Sequence, residues 1–71
     1  MTSDQIYNIR TGIVLRGTGW ATQAEFAALL GVSPAAVRAW EQGRRQPNGA
    51  ALKLLHLIRD CPDQILPLLG A

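Results

Sequence analysis

Apolar residues recur at helical spacing along most of the chain, interrupted at a few glycine-rich or polar points. Ile6, Ile9 and Ile13 form the inner stripe of a first helix, predicted to start near Ser3 or Asp4 after a frayed start and to run to about Leu15. Gly12 weakens that helix by roughly 1 kcal/mol relative to alanine. The run Gly12 to Leu15 is also open to a strand reading, because Ile13-Val14-Leu15 is a short apolar stretch. Gly17-Thr18-Gly19 is the clearest break, so a loop is expected from about Arg16 to Ala21. Trp20 reads as a core plug, in preference to an exposed loop aromatic, since tryptophan is highly buried on average.

The strongest pattern lies in Gln23 to Gln42. Thr22 and Glu25 make a capping box that opens a short helix, and Phe26, Ala27, Leu29 and Leu30 carry its apolar face. Gly31 can take the left-handed backbone of a tight turn. Ser33 caps a second helix, with Pro34 in its first turn. Val37 and Trp40 point inward, which leaves Ser33, Pro34, Ala35, Arg38, Ala39 and Gln42 outward. The competing reading of this stretch is a plain αα-hairpin in a small bundle.

Gly43 ends the second helix, and Arg44 to Gly49 is polar, with Asn48 a candidate cap. A helix from about Gly49 to Asp60 is apolar nearly all round, through Ala51, Leu52, Leu54, Leu55, Leu57 and Ile58. Lys53, His56 and Asp60 form its narrow polar stripe, so His56 reads as a surface residue. Pro62 restarts the chain, and a short last helix over about 63–69 is bent or cut by Pro67. Leu57, Ile65, Leu66, Leu68 and Leu69 exceed what one small bundle needs and are candidates for a dimer interface. Simple closure of the monomer core is the alternative.

Composition narrows the picture. The 71 residues suit one domain, 1–71, with a motif over 22–42 and C-terminal helices over about 49–69. A hydrophobic share of 48% is generous at this size. Cys61 is the single cysteine and His56 the single histidine, so neither a disulfide nor a metal site is expected. No leader or membrane span is apparent, and a reduced cytoplasm fits. Net charge is only +2, but Arg38, Arg44, Arg45 and Lys53 face one acid, Glu41, across residues 38–53. That local basic patch suggests a polyanion met by one face. Paired carboxylates in a cleft, a nucleophile with its base, and a phosphate-cradling glycine loop are all missing from the pattern. The chain therefore reads as no enzyme, and no cofactor is implied.

Gln23, Ala27, Gly31 and Val37, with the following Trp40-Glu41-Gln42-Gly43-Arg44-Arg45-Gln46-Pro47, resemble the XRE or lambda-repressor-like helix-turn-helix family. The DNA-binding domains of HigA- and MqsA-type antitoxins look alike through the same stretch. The resemblance covers roughly residues 5–60. It implies an all-α domain of four or five helices that binds double-stranded DNA through a recognition helix in the major groove.

By that resemblance Ser33, Pro34, Ala35, Arg38 and Ala39 face base edges. Arg38 is the long donor among them and suits guanine O6 and N7, while Pro34, Ala35 and Ala39 offer only apolar contact. Gln23, Gln42, Arg44, Arg45 and Asn48 match positions that grip phosphate. The family's first-helix arginine pairs with the glutamate after the recognition helix. Arg10 fits that pattern with Glu41 as partner, a solvated Glu41 being the alternative to the pair. Arg10 is preferred to Arg16, which has the usual distance to the glutamine but would place Gly12, Gly19 and Ala21 at the apolar positions. This alignment makes the glycine-rich loop an insertion of about six residues. The implied function is transcriptional repression as a homodimer. The rival is a HigA-type antitoxin that silences a toxin protein and autoregulates its operon. A third reading, an adaptor that uses the C-terminal leucines without touching DNA, sits poorly with the basic loop.

Overall fold

The computed structural model describes residues 1–15 and 19–70. Among the described residues there are five helices: α1 Ser3–Thr11, α2 Gln23–Leu30, α3 Pro34–Glu41, α4 Gly49–Asp60 and α5 Pro62–Leu68. A two-stranded ribbon, β1 Val14–Leu15 and β2 Gly19–Trp20, lies between α1 and α2. The fold is thus all-α in its layers, with one small antiparallel ribbon added.

The start of the chain is not frayed. Thr2 caps α1 through a box with Gln5, whose side chain accepts from the Thr2 amide at 2.8 Å, and Met1 packs against the core. The first helix also stops earlier than its apolar pattern suggests. Gly12 closes it, with an N–H that reaches back to the Asn8 and Ile9 carbonyls. Beyond it the strand reading holds, because Val14 and Leu15 pair with Trp20 and Gly19. The β-branched Val14, 79% exposed, suits an extended segment better than a helix end.

Trp20 is a correction. It is 59% exposed, not a core plug. Side chains alternate across a strand, and register puts Val14 directly opposite Trp20. The residues that fall to the inner face are therefore Ile13 and Ala21, at 3% and 0% exposure, joined by an Ala21 N–H to Ile13 carbonyl bond of 2.9 Å. Val14 shares the outer face and is also exposed. The loop expected from about Arg16 to Ala21 is corrected in its second half, where Gly19 and Trp20 form β2; residues 16–18 lie outside the described residues.

One core unites the helices. Ile6, Ile13, Phe26, Leu30, Val37, Trp40, Leu55 and Ile58 meet there, drawn from α1 to α4 and the approach to β1. Of the C-terminal leucines proposed for a dimer, Ile65, Leu66 and Leu69 pack partly against this core. Leu57 and Leu68 remain exposed. The last helix continues through Pro67 and is not cut by it. Asn48 sits at the start of α4 but makes no side-chain cap.

Phe26→Ala should cost about 3–5 kcal/mol, the usual toll of truncating a fully buried aromatic. Trp20→Ala should stay within about 0.5 kcal/mol. Urea melts of the two variants check both values, and equal losses would contradict the ribbon's orientation.

Candidate nucleic-acid interface

The candidate interface is built from α2, α3 and the loop that follows. At the start of α2, the Thr22 hydroxyl accepts the Glu25 N–H at 3.1 Å, and the Glu25 carboxylate accepts the Thr22 N–H at 2.9 Å. That box uses two of the donors at the helix start. The N–H groups of Gln23 and Ala24 have no acceptor among the described residues, so they are free for an external anion.

The turn between the helices is set by Gly31 at φ +72°. Its amide donates to Ala28 and that of Val32 to Ala27, the paired bonds of a Schellman ending. Val32 then packs against the core. Ser33 caps α3 by accepting the Ala36 N–H at 3.1 Å, and Pro34 takes the first position, where its missing donor costs nothing. Val37 and Trp40 drive one face of α3 into the core. The other face leaves Ser33, Pro34, Ala35 and Arg38 exposed, as their spacing predicts.

Ala39 departs from that expectation. It is only 7% exposed and offers little surface to a base edge. Gly43, at φ +75°, turns the chain back, and the Arg44 and Arg45 amides both donate to the Ala39 carbonyl, at 3.0 and 3.4 Å. The loop is thereby folded over the last turn of the helix. It leaves Gln42, Arg44, Arg45 and Asn48 exposed, while Pro47 is buried and holds the loop down.

Beneath this surface lies an ion pair. Arg10 donates to Glu41 through Nε at 2.6 Å and through Nη2 at 2.9 Å, and its Nη1 donates to the Ala21 carbonyl at 2.9 Å. The side chains are 10% and 8% exposed. Tyr7 adds its ring face, 5.4 Å from the guanidinium carbon. Arg10 is held above the ordinary arginine value, chiefly by its hydrogen bond to Glu41, against the desolvation that opposes it. The Gln23 amide completes the cluster by donating to Glu41 Oε1 at 3.2 Å. Glu41 is therefore no solvated acid. Its charge is neutralised from inside, and the exposed cations Arg38, Arg44, Arg45 and Lys53 face solvent without it.

The family resemblance pairs Arg10 with Glu41 but gives no sign of the Ala21 or Gln23 contacts. Those arise where chain ends and turns converge, and no spacing rule reports them. Elsewhere Arg59 and Asp60 form an exposed pair that contributes little. His56 is exposed, as its stripe implies. Among the described residues no three His, Cys, Asp or Glu side chains gather as around a metal ion. None of the described helices is long and apolar enough to cross a membrane.

The helix-turn-helix family model HTH_3 matches residues 22–57, just over half the chain. The chain belongs to the helix-turn-helix family. It is 47% identical over 47 residues to the uncharacterized HTH-type transcriptional regulator YiaG of Escherichia coli K12, a match covering 66% of this chain and 48% of that protein. It is 34% identical over 65 residues to antitoxin HigA-2 of Vibrio cholerae serotype O1, covering 92% of this chain and 57% of that protein. The chain thus spans about half the length of the curated relatives it matches. The family match begins at the capping box and ends within α4, so α1 and the ribbon fall before it.

Removal of either partner of the buried pair should be expensive. Arg10→Ala or Glu41→Ala leaves an uncompensated buried charge and should cost about 3–5 kcal/mol. Arg10→Lys should recover only part of this, because an ammonium cannot make the bidentate contact. A group raised above its unfolded value stabilises below that value and loses the effect only as pH climbs through the folded one. The arginine side of the pair should therefore give no stability change between pH 5 and 9. Thermal melts of the variants across that range provide the check.

Proposed function

We propose that the chain is a sequence-specific DNA-binding transcription regulator, a repressor that reads the major groove with α3 and binds as a homodimer. The observation that carries this reading is Arg38 on the exposed face of α3, flanked by exposed Arg44 and Arg45, on a helix seated by the buried Arg10–Glu41 pair. Membership of the helix-turn-helix family supports it, as does the description of YiaG as a transcriptional regulator. Such a surface performs recognition and needs no catalytic step or cofactor.

Arg38 is the base reader, with its planar fork on guanine. Ser33 reaches a base or a phosphate, and Pro34 and Ala35 present apolar surface suited to a thymine methyl. Gln23, Gln42, Arg44, Arg45 and Asn48 hold the phosphate backbone, together with the free N–H groups at the start of α2. With Ala39 largely covered, the reading head is small. DNA shape then supplies part of the preference.

Two copies on a two-fold axis would read half-sites about one helical turn apart. Leu57 and Leu68, the exposed apolar residues of α4 and α5, are the contacts proposed for that axis, with Ile65, Leu66 and Leu69 behind them. A second reading rests on the match to antitoxin HigA-2, which extends over 92% of this chain. On that reading the chain also silences a toxin protein, and its regulated DNA is its own operon. The cytoplasm is the compartment both readings require.

Arg38→Ala should lose about 1–3 kcal/mol of discrimination while keeping most nonspecific binding. Arg44→Ala should weaken every DNA alike and lower the salt slope by about one. Fluorescence anisotropy over a salt series, with the DNA upstream of the coding region as target and unrelated DNA as competitor, measures both. An unchanged preferred sequence in Arg38→Ala would remove it as the reader. Leu68→Glu should shift sedimentation from dimer to monomer, and no shift would place the two-fold contact elsewhere.

A further inference from the structure

A hollow of about 340 Å³ opens between α1, the end of α4 and the start of α5. None of its lining residues belongs to α2 or α3. Its wall is apolar, made by Ile9, Ile13, Ile58, Pro62 and Leu66. Ile13, Pro62 and Leu66 also line a second hollow of about 230 Å³ beside Val14 and Pro67, so the two form one groove. Leu57 and Leu68, the exposed residues proposed for the two-fold contact, line neither part. Three polar side chains line the larger hollow: Gln5, Asn8 and Arg59. Gln5 Oε1 accepts the Thr2 N–H, which leaves the amide donors of Gln5 unused among the described residues. Asn8 engages other described residues through its backbone and not its side chain. Arg59 gives Nε and Nη2 to Asp60 and keeps Nη1.

We propose that this groove binds a small neutral ligand made of an apolar chain and one carbonyl oxygen. The larger hollow lies at the small end of the range, about 300–1,000 Å³, that ligand sites occupy, and it has their character: an apolar wall with a few polar groups. The unused polar groups are mostly N–H donors, so they call for an acceptor. Charge decides which acceptor. Arg59 is already balanced by Asp60, at 2.8 and 3.2 Å, and Asp63 lines the second hollow. A carboxylate placed here would meet two acids and lose its water. An ammonium would meet N–H groups of its own kind. A neutral carbonyl takes the donors without bringing a charge out of water. Its chain then runs past Ile13 and Leu66 toward Val14 and Pro67, where each buried methylene adds to affinity. An apolar side chain from a partner protein would fill the same space but cover those donors without meeting them.

The test is an NMR titration of the DNA-free chain with 2-nonanone, and with nonanoate as the charged match. The ketone should give saturable shifts of the amide resonances of Asn8, Gly12, Ile13, Arg59 and Leu66, and leave those of α3 in place. It should also raise Tm as its concentration grows. Nonanoate should bind at least about tenfold more weakly. Asn8→Ala and Arg59→Ala should each weaken the ketone about two- to tenfold, the range of one modest hydrogen bond. Both side chains are exposed, so a loss there is not a loss of fold. Leu66→Trp, which fills the hollow, should abolish the shifts. Shifts that do not saturate, or that spread over the surface without favouring the groove, overturn the site. Equal binding of nonanoate, or unchanged affinity in both Asn8→Ala and Arg59→Ala, overturns the neutral carbonyl. If the groove resonances move with protein concentration alone, a second copy fills the space and the proposal falls. The DNA-binding reading stands or falls separately, since the titration contains no DNA.

Discussion

The buried pair between Arg10 and Glu41 is the constraint on which the arrangement depends. It joins residues 31 positions apart and ties the end of α1 to the end of α3. Through Nη1 it also holds the Ala21 carbonyl, just before the cap of α2. Three elements that could otherwise slide are thereby referred to one guanidinium. Burial makes the pair demanding. Two charges taken out of water are tolerated only when geometry and extra hydrogen bonds are good. Both conditions are met here, since the described buried side-chain polar atoms all have partners.

The pair has an electrostatic consequence for the outer surface. Glu41 stands in a stretch otherwise rich in arginine, and as a solvated acid it would oppose the cations around it. Turned inward and paired, it leaves Arg38, Arg44 and Arg45 to set the surface field. The same residue thus fixes the helix mechanically and clears its face of negative charge. The turns complete the presentation. Gly31 and Gly43 take left-handed backbone at the ends of α2 and α3, where nothing stands within 4 Å of a would-be Cβ. The constraint at these positions is conformational, not one of space. After the second turn the Arg44 and Arg45 amides bond to the carbonyl of Ala39, which is itself only 7% exposed.

The ribbon shows how a local pattern can be read two ways. Ile13, Val14 and Leu15 are apolar in succession, and the helical period of the flanking residues favours a helix there over the competing extended run. The glycine at 12 and the pairing of 14 with 20 settle the matter in favour of strands. Trp20 then faces outward, since Ile13 and Ala21 already occupy the inner positions. The average burial of tryptophan loses to the alternation of side chains across a strand.

Much of the fold and site was legible in the order of residues. Thr22 with Glu25, Gly31, Ser33 with Pro34, and Val37 with Trp40 are local signals, each acting within a turn or two of helix. They determined α2, the turn, α3, and the exposure of Ser33, Pro34, Ala35 and Arg38. The Arg10–Glu41 pair was legible only through family resemblance, since no spacing rule joins positions so far apart. What tertiary structure alone decided was every matter of which surface covers which: the exposure of Trp20, the covering of Ala39, the partial use of Ile65, Leu66 and Leu69 in the core, and the reach of Gln23 to Glu41. The physical reason is range. Capping and periodicity are carried by neighbours along the chain, whereas burial depends on what folds against a residue from a distant segment.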